Sequence, residues 1–152
     1  MKQRGLMRLA ILAALWACSC AESQGQRVSL PKPDDVLEEM SRRSSVPKPE
    51  LRDMLSNCDV NQRNTYFCAF RDFVMADLTI GRVATDQARR YPTCKSRIES
   101  DVARLRQRRD EQCEKTADDA YGEGSMKLTA QAMCAASENE TLIAEIKKIT
   151  SC

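Results

Sequence analysis

Eight cysteines and no histidine set the chemistry open to this chain of 152 residues. Without imidazole there is no Ser-His or Cys-His nucleophilic pair and no His-metal site, since imidazole is the usual neutral-pH base and metal ligand. A thiol-exchange site would show Cys-x-x-Cys, and that spacing does not occur. Zinc sites pair their ligands at short spacing, which the cysteines beyond Cys20 lack. Asp118-Asp119 is an acid pair, but sequence neighbours on a polar stretch are not the opposed, differently tuned carboxyls that acid–base catalysis needs. The expectation is a non-enzymatic protein with no cofactor and no metal, whose cysteines form disulfides.

Four cysteines carry positional information. Cys113 and Cys134 straddle a turn at Tyr121-Gly122-Glu123-Gly124-Ser125, and Cys94 and Cys152 lie nearly equal distances further along the two arms. In two antiparallel helices, residues of constant index sum face each other. The spacing therefore predicts two covalent rungs, Cys113–Cys134 near the turn and Cys94–Cys152 at the open end, roughly 27 Å apart at helical rise. Cys58 and Cys68 remain to clip a leading loop onto the first long helix. Sequence alone leaves other connectivities open.

Those arms need helices. Charged residues make up 30% of the chain and aromatics 5%, with five Gly and five Pro, which favours helices over a sandwich or barrel. Helical patterning predicts a first long helix over 59–91, capped by Asn61 or Asn64. Tyr66, Phe70, Phe73, Ile80, Ala84, Ala88 and Tyr91 lie on its apolar stripe, and Tyr91-Pro92 stops it. A second helix is expected over about 95–115 and a third from Ser125 or Met126 to Lys148, with Ser125 a cap. The fold class is all-α: a small disulfide-stapled three-helix bundle built on an antiparallel helical hairpin. Its apolar interior is thin, and disulfides, each worth about 2–4 kcal/mol, fit that shortage. Asp77 falls on the first stripe, so it reaches water at the helix edge or pairs with an arginine of the next helix.

The ends divide the chain further. Lys2, Arg4 and Arg8 precede an apolar run over 9–17 that is too short to span a bilayer, so residues 1–17 read as an export signal. Leu15-Trp16-Ala17-Cys18 resembles a lipobox, with Cys18 the lipidated residue; plain secretion with cleavage after Ala21 is the alternative. Residues 18–57 read as a tether with two Pro-Lys-Pro segments, each leading into a short helix, and residues 58–152 as the helical domain. Removing the leader takes away three bases and no acid, so the mature chain is near neutral and nucleic acid is not an expected partner. Localisation is expected in the periplasm or cell envelope, held to the membrane by a lipid on Cys18.

Some of these residues form a pattern. Cys68-Ala69 is followed by Ala76-Asp77; Arg109-Asp110 precedes Cys113; the Gly122-Glu123-Gly124-Ser125 turn and then Cys134 come after. From Cys58 to about Ile146 the chain resembles the lysozyme-inhibitor LprI-like domain family of bacterial envelope proteins. It departs from that family in having Leu105 where a tryptophan is common, Arg108 in place of an aromatic, Ile80-Gly81 and Ala84 in place of Leu-Asn and Tyr, and Cys94 and Cys152 as additions. The resemblance implies a non-catalytic exported protein whose partner is a protein, with a lysozyme as the candidate. Ala-Asp and Arg-Asp both belong to the family's pattern, which implies an ion pair between Asp77 and Arg109. A lysozyme cleft is lined by carboxylates. The turn offers hydroxyls and acids beside an acidic stretch over 110–123, so Tyr121, Glu123 and Ser125 are the candidate binding residues. The other reading is an envelope scaffold or adaptor lipoprotein that binds a protein through its helical face.

Overall fold

A computed structural model describes residues 29–152. The expected export signal over 1–17, Cys18, Cys20 and the start of the expected tether lie outside the described residues. Six α-helices occur among the described residues: α1 Pro33–Ser44, α2 Lys48–Leu55, α3 Gln62–Arg90, α4 Lys95–Tyr121, α5 Lys127–Ser137 and α6 Asn139–Lys147. A 3₁₀ turn at Pro92–Cys94 joins α3 to α4, and no strand forms among these residues. The structure is an all-α bundle stapled by disulfides. No helix among the described residues is long and apolar enough to cross a membrane.

The centre is α3, which touches every other helix. Asn61 caps it, its Oδ1 accepting from the Asn64 N–H at 3.0 Å. Apolar residues cover two sides of this helix. Phe67, Phe70 and Val74 meet Val36, Leu37, Met40, Leu51 and Met54 in one core. Ile80 and Val83 meet Ile98, Val102, Leu105, Leu142 and Ile146 in a second. The single expected stripe omits Phe67, Val74, Val83 and Gln87, all buried, because it was drawn for a helix covered on one side. Burial on the other side comes from α1 and α2.

The segment expected as a tether is therefore part of the bundle from Pro33 onward. Both of its short helices form with Pro at the first turn, as the Pro-Lys-Pro pattern requires. Their apolar residues are spaced to one face, and Met40 and Leu51 are fully buried on α3. At about 25 cal/mol per Å² of apolar surface removed from water, these side chains stabilise the folded position over an extended tether. Arg82 of α3 reinforces the attachment, bonding Asp35 at 2.9 Å and the Leu30 carbonyl at 2.8 Å.

All three expected disulfides form. Cys58–Cys68, Cys94–Cys152 and Cys113–Cys134 have Cα separations of 5.8, 5.5 and 5.5 Å, within the range a bridge spans without backbone movement. Three bridges point to an oxidising, extracellular-type environment. The hairpin differs from expectation in two details. α4 continues past Lys115 to Tyr121, because Ala117 is buried on the same side as Cys113 and Gly122, at φ +52°, provides the stop. The third helix is interrupted at Glu138, which separates α5 from α6; there the Ser137 hydroxyl donates to the Cys134 carbonyl at 2.7 Å beside the Glu138 N–H at 3.1 Å. Ser125 does not cap α5; that helix starts without a side-chain cap.

Candidate functional site

Two places gather polar side chains: a cluster inside the bundle and the tip of the α4–α5 hairpin. The cluster centres on Asp77, which is 8% exposed in the middle of α3. A carboxylate placed there must be paired or neutralised. Arg43 of α1 donates to its Oδ2 at 2.7 Å. Arg106 of α4 brings Nε to 2.8 Å from Oδ1, not aligned as a hydrogen bond, and donates from Nη2 to the Asp77 carbonyl at 2.9 Å. Arg109 of α4 stands 3.6 Å from Oδ1.

The expected Asp77–Arg109 pair is thus present as the longest of three contacts, and Arg106 and Arg43 are the closer partners. The reason lies in the side chain's other attachments. Arg109 is drawn to its neighbour Asp110 at 2.8 Å, and its guanidinium lies over the Phe73 ring at 5.0 Å. Arg43 approaches the same ring at 5.6 Å. Arg43 also bonds Glu39 at 2.6 Å. Hydrogen bonding from Arg42, opposed by partial burial and reinforced by Arg43, holds the Glu39 carboxyl down at about 2 from an ordinary 4.5. Burial works against the Arg43 cation, but its bonds to Asp77 and Glu39 prevail and raise its pKa. The cluster ties α1, α3 and α4 together by charge. Its carboxylate is buried, while the Arg43 and Arg106 side chains stay 25% and 33% exposed. Neither close partner was anticipated: pairing Arg43 with Asp77 requires the tether to fold back, and on α4 the expected partner was Arg109, not Arg106.

The tip carries the candidate binding residues. Tyr121, the last residue of α4, is 48% exposed, and Glu123 and Ser125 are exposed beside it. The turn is tightly determined. Gly122 N–H donates to the Asp118 carbonyl and Gly124 N–H to the Tyr121 carbonyl, both at 2.8 Å. A Cβ on Gly124 would lie 2.7 Å from that same Tyr121 oxygen, so only glycine closes the turn without a shift. Cys113–Cys134 fastens the two helices behind it.

The tip also contains a cation that the acidic count over 110–123 does not include. Lys127 of α5 reaches back to Asp118 at 2.5 Å. That hydrogen bond, with the further charges of Glu123 and Glu114 outweighing slight burial, raises the lysine's pKa. The acids of the tip are accordingly part-compensated, and Glu111, Asp119 and Glu123 face solvent. No group of three or more His, Cys, Asp or Glu among the described residues is placed to hold a metal ion. Beside the tip, α5 exposes Leu128 (58%) and Met133 (60%).

Comparison with known protein families, with curated proteins and with solved structures finds no match to this chain. The likeness to the LprI-like family rests on the residues named for it and on nothing further.

Proposed function

We propose that this is a non-enzymatic exported binding protein, similar in action to lysozyme inhibitors, which engages a protein partner with the tip of its α4–α5 hairpin. The observation that carries this reading is the rigid, projecting turn. Tyr121, Glu123 and Ser125 stand in solvent on a glycine-closed loop that a disulfide braces, so little conformational entropy is lost when a partner orders them. Tyr121 supplies an amphipathic ring with a hydroxyl for a carboxylate-lined cleft, and the surrounding acids meet a cationic rim. The lipid on Cys18 would hold this binder at the envelope membrane.

The test is a muramidase assay with lysozymes of different classes, with and without the purified protein. Inhibition at micromolar concentration is expected, reduced at least tenfold by Tyr121→Ala or Glu123→Lys (~1.4 kcal/mol or more). Activity unchanged for every lysozyme class rules the reading out.

A second reading is an envelope adaptor whose helical face binds another protein. Exposed Leu128 and Met133 on α5 favour it. Its sign would be a membrane partner that stays bound to Tyr121→Ala and is released by Leu128→Asp. Deleting residues 30–55 does not discriminate, because those residues include core positions Met40 and Leu51.

A further inference from the structure

The six bridged cysteines are not equally open to solvent. Cys68, Cys94 and Cys113 are buried, at 7%, 2% and 0% exposure. Cys58 and Cys134 are half-buried, and Cys152 is the exposed one of the six. A thiolate opens a disulfide by attacking one of its two sulfurs, so the rate depends on which half it can reach. The Cys94–Cys152 bridge presents Cys152 to an attacking thiol and keeps Cys94 out of reach. Attack is thereby directed to one side, with Cys94 as the leaving sulfur.

That leaving sulfur is favourably placed. Cys94 occupies the N-cap of α4, a helix of 27 residues, and no side chain caps it. The positive end of the helix dipole favours a thiolate there, and a better-stabilised thiolate leaves faster. Burial of Cys94 opposes the charge, but it also shields the released sulfur from other reagents and keeps it beside Cys152 for re-closure.

Opening this bridge leaves the rest of the fold its own attachments. Gln87 donates to the Lys147 and Ile149 carbonyls, and Ile149 packs against the core that holds Ile98 and Ile146. Arg97 donates to the Ser151 carbonyl. The bridge behind the tip, Cys113–Cys134, takes no part.

We propose that Cys152 is a reversible thiolation site for a low-molecular-weight thiol. The thiolate attacks Sγ of Cys152, the bond to Cys94 breaks, and a mixed disulfide forms on Cys152. Cys94 leaves as a thiolate and takes a proton from water. One disulfide replaces another, so no oxidant or reductant is consumed. The protein is the substrate of this exchange and not its catalyst, in keeping with its lack of Cys-x-x-Cys. The inference does not depend on the lysozyme reading.

The test incubates the whole chain, its free thiols alkylated beforehand, in a buffer of reduced and oxidised glutathione. Samples are quenched with a second alkylating reagent and mapped by peptide mass spectrometry. Glutathione should appear on Cys152 and the second alkyl group on Cys94. This should occur at least about tenfold faster than any labelling of Cys58, Cys68, Cys113 or Cys134, whose bridges open only with more of the fold. Circular dichroism should stay native, and the rate should not respond to urea below the unfolding transition. Earlier opening of either other bridge, equal rates at all three, or glutathione on Cys94 overturns the proposal. So does a rate that climbs with urea, or a bridge that glutathione leaves closed.

Discussion

Replacing Cys94 and Cys152 by alanine should destabilise this protein more than removing either other bridge. In the chain-entropy account, a disulfide restricts the unfolded state in proportion to the logarithm of the loop it closes. The three bridges close 58, 21 and 10 residues. At 25 °C those loops correspond to about 4.2, 3.3 and 2.7 kcal/mol respectively. The native state should tolerate the double exchange, because the C-terminal tail has other attachments. Gln87, buried in α3, donates from Nε2 to the Ile149 carbonyl at 2.8 Å and to the Lys147 carbonyl at 3.2 Å. Arg97 donates to the Ser151 carbonyl at 3.3 Å. Urea unfolding followed by circular dichroism measures the loss, with each Cys→Ala pair compared in the same buffer. The m-value should rise for Cys94→Ala/Cys152→Ala, since an unfolded chain without the long loop exposes more surface. A loss below that of Cys58→Ala/Cys68→Ala, or an unchanged m-value, refutes the unfolded-state reasoning.

Four further outcomes follow from the polar contacts and the turn. Asp77→Asn should cost about 3–5 kcal/mol, as it leaves Arg43, Arg106 and Arg109 without their shared counter-charge. In double-mutant cycles with Asp77→Asn, Arg106→Ala should couple more strongly than Arg109→Ala, and the reverse order would show that the 3.6 Å contact is the stronger one. The Glu39 carboxyl titrates lower in the folded chain, at about 2, than its ordinary 4.5, so its contribution is complete above 4.5 and is lost as pH falls towards 2. Glu39→Gln should flatten the acid side of the stability–pH curve in that interval; an unaltered slope would count against the Arg42 and Arg43 bonds. Gly124→Ala should destabilise by about 1–3 kcal/mol, from the clash with the Tyr121 carbonyl, and calorimetry showing no change in melting temperature would contradict the turn geometry.

The hairpin was legible because its signals are local or arithmetically linked. Asn61 and Pro92 bound α3, glycines close the tip, and the cysteine spacing matches facing positions on two antiparallel helices. Asp77 was legible as a buried acid in need of a cation. Its closest partners were not, because Arg106 and Arg109 share a face of α4 and only packing decides which side chain turns towards Phe73 and Asp110. The interruption at Glu138 was missed because no Gly or Pro marks it, and Ser137 and Glu138 are both compatible with a continuing helix.

What the amino-acid order determined by itself is the all-helical class, the start and stop of α3, and a cysteine spacing that fits the bridges. Each follows from backbone chemistry within a few residues or from a spacing that one helical geometry satisfies. What only the tertiary structure decided is the place of residues 33–55. Their short amphipathic helices read as a spacer, and the second apolar side of α3 makes them core by covering Met40 and Leu51. That packing brings Arg43 to Asp77, because burial and long-range charge pairing depend on which surfaces meet.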